Sequence, residues 1–232
     1  MTATSATMGK RGLPAILSLV MVLAYPLYGQ FLLRFVLPPL HIQAGIGFDI
    51  FHEALVWLYA AIALLVATRW GSLSTADIGL GRVRWTTPVF GIGAAIVTLV
   101  LSGITAQAVY GALHQTSRAS AEAAALIHGS VVYALFVALR AGAVEELLYR
   151  GIAIEQFAAF IGSRWLAAAL AGALFIAAHA LVFDWPQLIP IAMATLIMTL
   201  LYLWRRDLWA NMLAHVLVDA VGLVTLALRG HG

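Results

Sequence analysis

The sequence predicts an all-α fold, a polytopic transmembrane bundle of about seven helices, on three observations. The chain of 232 residues is 63% hydrophobic and only 10% charged, whereas an ordinary soluble domain is roughly a quarter charged. About seven apolar runs, near 13–33, 51–69, 88–110, 130–150, 163–183, 187–204 and 208–228, approach or exceed the length of a span, which takes about 20 residues as a helix. The stretches between them, at 38–49, 71–88, 112–128, 184–187 and 205–207, hold Pro, Gly or charges and read as loops. A single transmembrane domain, 1–232, accounts for nearly all of the chain, with its chemistry-bearing residues in a core at 130–222.

The first run follows Lys10 and Arg11, but it is too long for a secretory signal and no small-x-small cleavage site follows it, so it reads as a retained helix. The second opens on His52 and Glu53, read as a solvated interfacial pair. Tryptophans 57, 70, 85, 185, 204 and 209 stand mostly at predicted helix ends, where interfacial anchors belong. Placing the N-terminus in the cytoplasm puts Lys10, Arg11, Arg69, Arg82, Arg84, Arg164, Arg205 and Arg206 on that side and leaves Arg34, Arg118 and Arg229 outside. The expected setting is therefore a cell membrane, multi-pass. The net charge of +3 is mostly this topogenic signal, so the expected partners are the lipid bilayer and no nucleic acid. The absence of cysteine excludes disulfides, thiolate metal ligands and a cysteine nucleophile.

The fourth run contains "AGAVEELLYRG", residues 141–151. A charge at mid-membrane costs about 2.5–3.5 kcal/mol on insertion scales, so Glu145, Glu146 and Arg150 need partners or a task. Glu146 and Arg150 are spaced i,i+4 with the acid first, the favourable ion-pair order. Glu145 lies about 100° further round an α-helix and is left without a local cation. Arg140, five residues earlier, reads as a structural counter-ion for Asp219 or Glu146, with a contact to a substrate carboxylate as the sharper option.

Two later helices carry the other polar residues: His179 in "ALFIAAHAL", and Asn211, His215 and Asp219 at four-residue steps along one face of the last helix. Glu145 and His179 both lie 17 residues from Gly162, the expected turn between their helices, so an antiparallel hairpin sets them level. That requires the helix of Glu145 to run on to about residue 160, with the tip "AIEQFAAFIGSRW" protruding into the cytoplasm. At 1.5 Å per residue, His179 sits about 20 Å and His215 about 12 Å above the inner membrane end, a difference that helix tilt closes. A carboxylate with two imidazoles and a further acid suits activation of water and stabilisation of an oxyanion or a metal. Rival protease signatures are absent: "FHEALV" has Val56 where H-E-x-x-H needs its second His, and Ser130 in "HGSVV" lacks the glycine frame of a nucleophile elbow.

In these residues the sequence resembles the CPBP intramembrane proteases, the family of the type II CAAX prenyl endopeptidases and the abortive-infection-type membrane proteins. The pattern E-E-x-x-x-R, F-x-x-x-H and H-x-x-x-N/D is matched by Glu145, Glu146 and Arg150, by Phe175 and His179, and by His215 and Asp219. "ADIGLGR" at 76–82 resembles a short motif that many members carry before the core. The resemblance implies an endopeptidase acting on a membrane-associated peptide or protein, of which a prenylated CAAX protein is the best-known kind. Glu145 would activate water beside His179, while His215 and Asp219 hold the oxyanion and Glu146, Arg150, Phe175, Asn211 and Arg140 support them. The family is described both as glutamate-dependent and as metalloprotease, so the cofactor is either none or one divalent metal, zinc, held by Glu145, His179 and His215. The prenyl proteases usually have Asn where this chain has Asp219, and a carboxylate donates a hydrogen bond only when protonated. The alternative from another class is a silent membrane scaffold or bacteriocin-immunity-type protein that binds a partner in the same cavity.

Overall fold

The computed structural model describes residues 3–36, 38–40, 46–115, 127 and 130–229; Arg118, expected outside, lies beyond the described residues. Seven long helices run through them. They are α1 (Ala3–Phe31, continued by a π-helical turn, Leu32–Val36), α2 (Ile46–Leu65, continued by a second, Val66–Trp70) and α3 (Thr87–Leu113). The continuous α4 is α-helical at Val131–Arg140 and Ile154–Ile161 and π-helical at Ala141–Ala153 between them. Then come α5 (Arg164–His179), α6 (Trp185–Arg205) and α7 (Leu208–Arg229). No strand occurs among the described residues.

Local chemistry sets these boundaries. Ser130 caps α4 by accepting from the Tyr133 N–H at 3.2 Å, and Ser163 caps α5 by accepting from the Leu166 N–H at 3.4 Å. Pro88 and Pro186 sit in the first turns of α3 and α6, where the missing N–H costs nothing. Gly162, at φ 77°, makes the left-handed turn that ends α4. Arg206 ends α6 with φ 52°, a strained conformation for an arginine. Its side chain offsets the strain by donating to the Asp77 carbonyl at 2.6 Å.

Five helical stretches, Gly12–Gly29, Gly47–Trp70, Thr87–Leu113, Trp185–Arg205 and Leu208–Arg229, are long and apolar enough to cross a membrane, and the protein is a multi-pass membrane protein. The other two helices carry the motifs: α4 is interrupted by charge, and α5 has 16 residues, fewer than the usual span. Buried alanines at 60, 63 and 67 on α2, at 167, 168 and 171 on α5, and at 210 and 214 on α7 let the helices pack closely without a large apolar driving force. The central helix is α4, packed against α1, α2, α5 and α7, while α3 lies on α6 and α7.

One expectation is corrected here, and another holds with one exception. The hairpin tip does not simply protrude: Ile154, Glu155 and Gln156 are buried, and only its far turn is exposed, with Phe160 and Trp165 open. Glu155 accepts from Arg164, Arg206 and Tyr202, and the Gln156 amide donates to Ser18 Oγ at 3.2 Å, so α1, α5 and α6 clamp the tip. Most of the named tryptophans are exposed at helix ends as expected, but Trp57 lies mid-helix against the core.

Candidate active site

The π-helical stretch Ala141–Ala153 contains the whole first motif. Such a register, with i→i+5 hydrogen bonds, usually lasts one turn and concentrates at functional sites. Beside it, α4 and α7 touch backbone to backbone. A β-carbon on Gly142 would stand 2.5 Å from Val216 Cγ2 and 2.7 Å from the Val216 nitrogen, so only glycine fits. This contact brings His215, one residue before Val216, against the motif.

Glu146 is the buried hub. Its Oε1 accepts from Arg150 Nη1 at 2.7 Å and from His215 Nδ1 at 2.8 Å, and its Oε2 accepts from Asn211 Nδ2 at 3.2 Å. Arg150 and Asn211 also donate to the carbonyls of Thr195 and Met198 on α6, at 3.5 and 2.7 Å. The Arg150 guanidinium lies 4.5 Å from the Phe175 ring centre. The i,i+4 pair read from the sequence is therefore present, and it ties α4 to α6 and α7.

The two imidazoles are oriented from behind. A carbonyl oxygen only accepts, so His179 Nδ1–H donates to Phe175 O at 2.9 Å, which turns Nε2 toward Glu145 Oε2 at 4.0 Å. The level placement of Glu145 and His179 thus emerges as the 17-residue spacing predicts. The distance is too long for a direct hydrogen bond but lets one water touch both groups. His215 donates Nδ1–H to Glu146, leaving Nε2 3.6 Å from Asp219 Oδ2. Phe175 joins the two, its ring centre 4.4 Å from that of His179 and 6.3 Å from that of His215. Asp219 is the most open of the four, with 31% of its side chain exposed, against 12% for Glu145.

Three readings of the polar residues are overturned. Glu145 has a local cation, because Arg140 Nη1 lies 3.3 Å from its Oε1. On an α-helix residues five apart diverge, and the π register brings them onto one face. Arg140 serves neither Asp219 nor Glu146 as its close partner: its Nε donates to Glu53 Oε2 at 2.7 Å and its Nη1 also donates to the Tyr25 hydroxyl oxygen at 3.3 Å. Glu53 is not a solvated interfacial acid, being 2% exposed. Sequence reasoning missed Tyr25 and the role of Glu53; the available signal was an acid two turns inside an apolar helix.

Among the described residues no three His, Asp or Glu side chains stand close enough to hold a metal ion. As placed, Glu145, His179 and His215 do not meet the tetrahedral demand of zinc, and no step below is routed through a metal. Ser130 is occupied as a helix cap.

Residues 127–221 match the family described as type II CAAX prenyl endopeptidase Rce1-like. No curated protein and no solved structure matches the chain. Glu145, Glu146, Arg150, Phe175, His179, His215 and Asp219 all fall within the matched residues, so the segment that carries the site is similar to that family, which supports the likeness of its three motifs to the CPBP proteases.

Proposed function

We propose that the protein is an intramembrane endopeptidase that hydrolyses a peptide bond of a membrane-associated protein or peptide, prenylated CAAX-type proteins being the substrate class nearest its family. The observation that carries this reading is the pair formed by Glu145 Oε2 and His179 Nε2, 4.0 Å apart, each fixed from behind and able to share one water. Glu145 takes a proton from that water as the oxygen adds to the scissile carbonyl carbon. The oxyanion that forms is met by His215, which as imidazolium offers Nε2–H while Nδ1–H stays on Glu146, and by Asp219 in its protonated form. The C–N bond then breaks, and the proton held by Glu145 passes to the leaving amine. Glu146 and Arg150 hold His215 and take no part in proton transfer.

Two glutamate variants test this division. Glu145→Gln should abolish cleavage and leave the fold intact, because Arg140 retains Glu53. Glu146→Gln should cost about 3–5 kcal/mol, the penalty for breaking a buried pair, since it leaves Arg150 and His215 without their carboxylate. Membrane proteomes of cells with wild-type protein and with Glu145→Gln should differ in the C-terminal end of at least one membrane peptide. A folded Glu145→Gln that changes no peptide would support the scaffold instead. A strong chelator, with elemental analysis of the purified protein, addresses the metal separately: full activity is expected, and inactivation reversed by zinc would overturn the glutamate-only mechanism.

A further inference from the structure

Arg140 lies between two carboxylates from different helices. Its Nε donates to Glu53 Oε2 of α2 at 2.7 Å, and its Nη1 reaches Glu145 Oε1 of α4 at 3.3 Å and the Tyr25 oxygen of α1 at 3.3 Å. All three charged side chains are largely sequestered, at 3% exposure for Glu53, 17% for Arg140 and 12% for Glu145. The other oxygen of Glu53, Oε1, faces His52 Nδ1 at 3.9 Å. Neither Tyr25 nor Glu53 falls within the matched residues 127–221.

A guanidinium is a rigid planar fork that matches a carboxylate with two parallel bonds when it has one partner. In a buried site with Glu145 alone, Arg140 would take both of its oxygens. Glu53 draws the Nε side of the fork away and Tyr25 holds Nη1, so Glu145 meets the cation through Oε1 only. Its Oε2 is left turned to His179 Nε2. Sharing one cation between two acids thus keeps the working oxygen free and fixes its direction.

We propose that Glu53, assisted by Tyr25, is a positioning residue for Glu145 that acts through the shared Arg140 guanidinium, so that the first two helices complete the active site. The proposal rests on the reading of Glu145 as the base. Glu53→Gln keeps the shape and removes the charge, which lets Arg140 close on Glu145. Its kcat should fall by up to roughly 10²-fold, as for a misplaced catalytic group, with KM unchanged. Glu53→Asp, which keeps the charge, should recover much of the loss, and Tyr25→Phe should lower kcat by less than Glu53→Gln does. A folded Glu53→Gln with wild-type kcat, or an Asp variant no better than the Gln one, would overturn the proposal. If Glu53→Gln does not fold, a kcat lowered in Tyr25→Phe at unchanged KM supports the proposal, and a wild-type kcat in that variant overturns it.

Thermal unfolding of Glu53→Gln, Glu145→Gln and the double variant supplies a readout that needs no cleavage. Each single variant leaves Arg140 one carboxylate, and the double leaves it buried with none, so the double should lose more Tm than the two singles together. Additive shifts would overturn the shared-cation network. Retained cleavage in Glu145→Gln would instead sink the reading of the base, while the unfolding cycle still decides whether Glu53 and Glu145 share Arg140.

Discussion

Asp219 is the residue at which this chain departs from the usual prenyl-protease pattern, and its geometry makes a sharp test. Its Oδ2 stands 3.6 Å from His215 Nε2, beyond hydrogen-bond length, so it is close enough to help hold an oxyanion without being locked to the imidazole. Asparagine supplies a permanent N–H donor of nearly the same shape. Asp219→Asn should therefore keep activity and shift the alkaline limb of the pH–rate profile upward, to where His215 loses its own proton, while Asp219→Ala should lose roughly 10²–10³ in rate, as for a deleted oxyanion donor. Rates of the three forms across pH decide the matter; an inactive but folded Asp219→Asn would mean that an ionised carboxylate is needed. Much at this scale was legible in the sequence. The pairing of Glu146 with Arg150 follows from a four-residue step. The pairing of Arg140 with Glu145 does not, because its five-residue step meets only in a π register, which no periodicity in "RAGAVEELLYRG" announces.

At the level of elements, the crossing of α4 and α7 is set by one absent side chain. Alanine at position 142 would put its β-carbon under 3 Å from the Val216 side chain and backbone nitrogen, forcing the helices apart and drawing His215 from Glu146. Gly142→Ala should cost about 1–3 kcal/mol, as overpacking does, and most of the activity. Val216→Ala should restore only part, since the backbone clash remains. Gly103→Ala, where nothing lies within 4 Å, is the control that should stay near wild type in Tm. The loop between α2 and α3 makes a second element-scale prediction. Asp77 accepts from the Ser74 N–H and hydroxyl, both at 2.7 Å, and these bonds hold its carboxyl below the usual carboxylate range. The same loop supports the start of α7, where the Leu208 N–H donates to Gly79 O at 2.9 Å and Trp209 Nε1 to Gly81 O at 3.1 Å. A depressed carboxyl pKa stabilises above its unfolded value and loses that contribution as pH falls through the folded one. Amide-exchange protection at residues 78–80 and 208 should thus hold at neutral pH and drop in acid, whereas Asp77→Asn should be weakly protected throughout. Equal protection in both forms at neutral pH would remove Asp77 from the account.

For the whole molecule, the loop before α3, the α4–α5 turn and the α6–α7 turn gather at one end, joined by Arg206 to the Asp77 carbonyl and by Arg164 and Arg206 to Glu155. Arg82 and Arg84 stand exposed at that end. We expect this end to face the cytoplasm. The chain has no cysteine, so single cysteines report topology directly. Arg82→Cys should react with an impermeant thiol reagent only in inverted vesicles, and Gln115→Cys, past the far end of α3, only from outside intact cells. The opposite pattern would reverse the orientation.

The sequence by itself determined the all-helical class, the order of about seven long helices, the extension of α4 past residue 150, the level placement of Glu145 and His179, and the common face of Asn211, His215 and Asp219. Those features rest on helical rise, periodicity and the cost of charge in lipid, all of which act along one segment. Tertiary structure decided the π register of α4, the closeness of α7 at Gly142, the role of Glu146 in orienting His215, and the recruitment of Glu53 and Tyr25 from the first two helices. Each of these depends on which backbone another helix brings alongside. A buried guanidinium takes the carboxylates that packing places in reach, and neither Glu53, 87 residues before Arg140 in the chain, nor the packing that delivers it is written in local spacing.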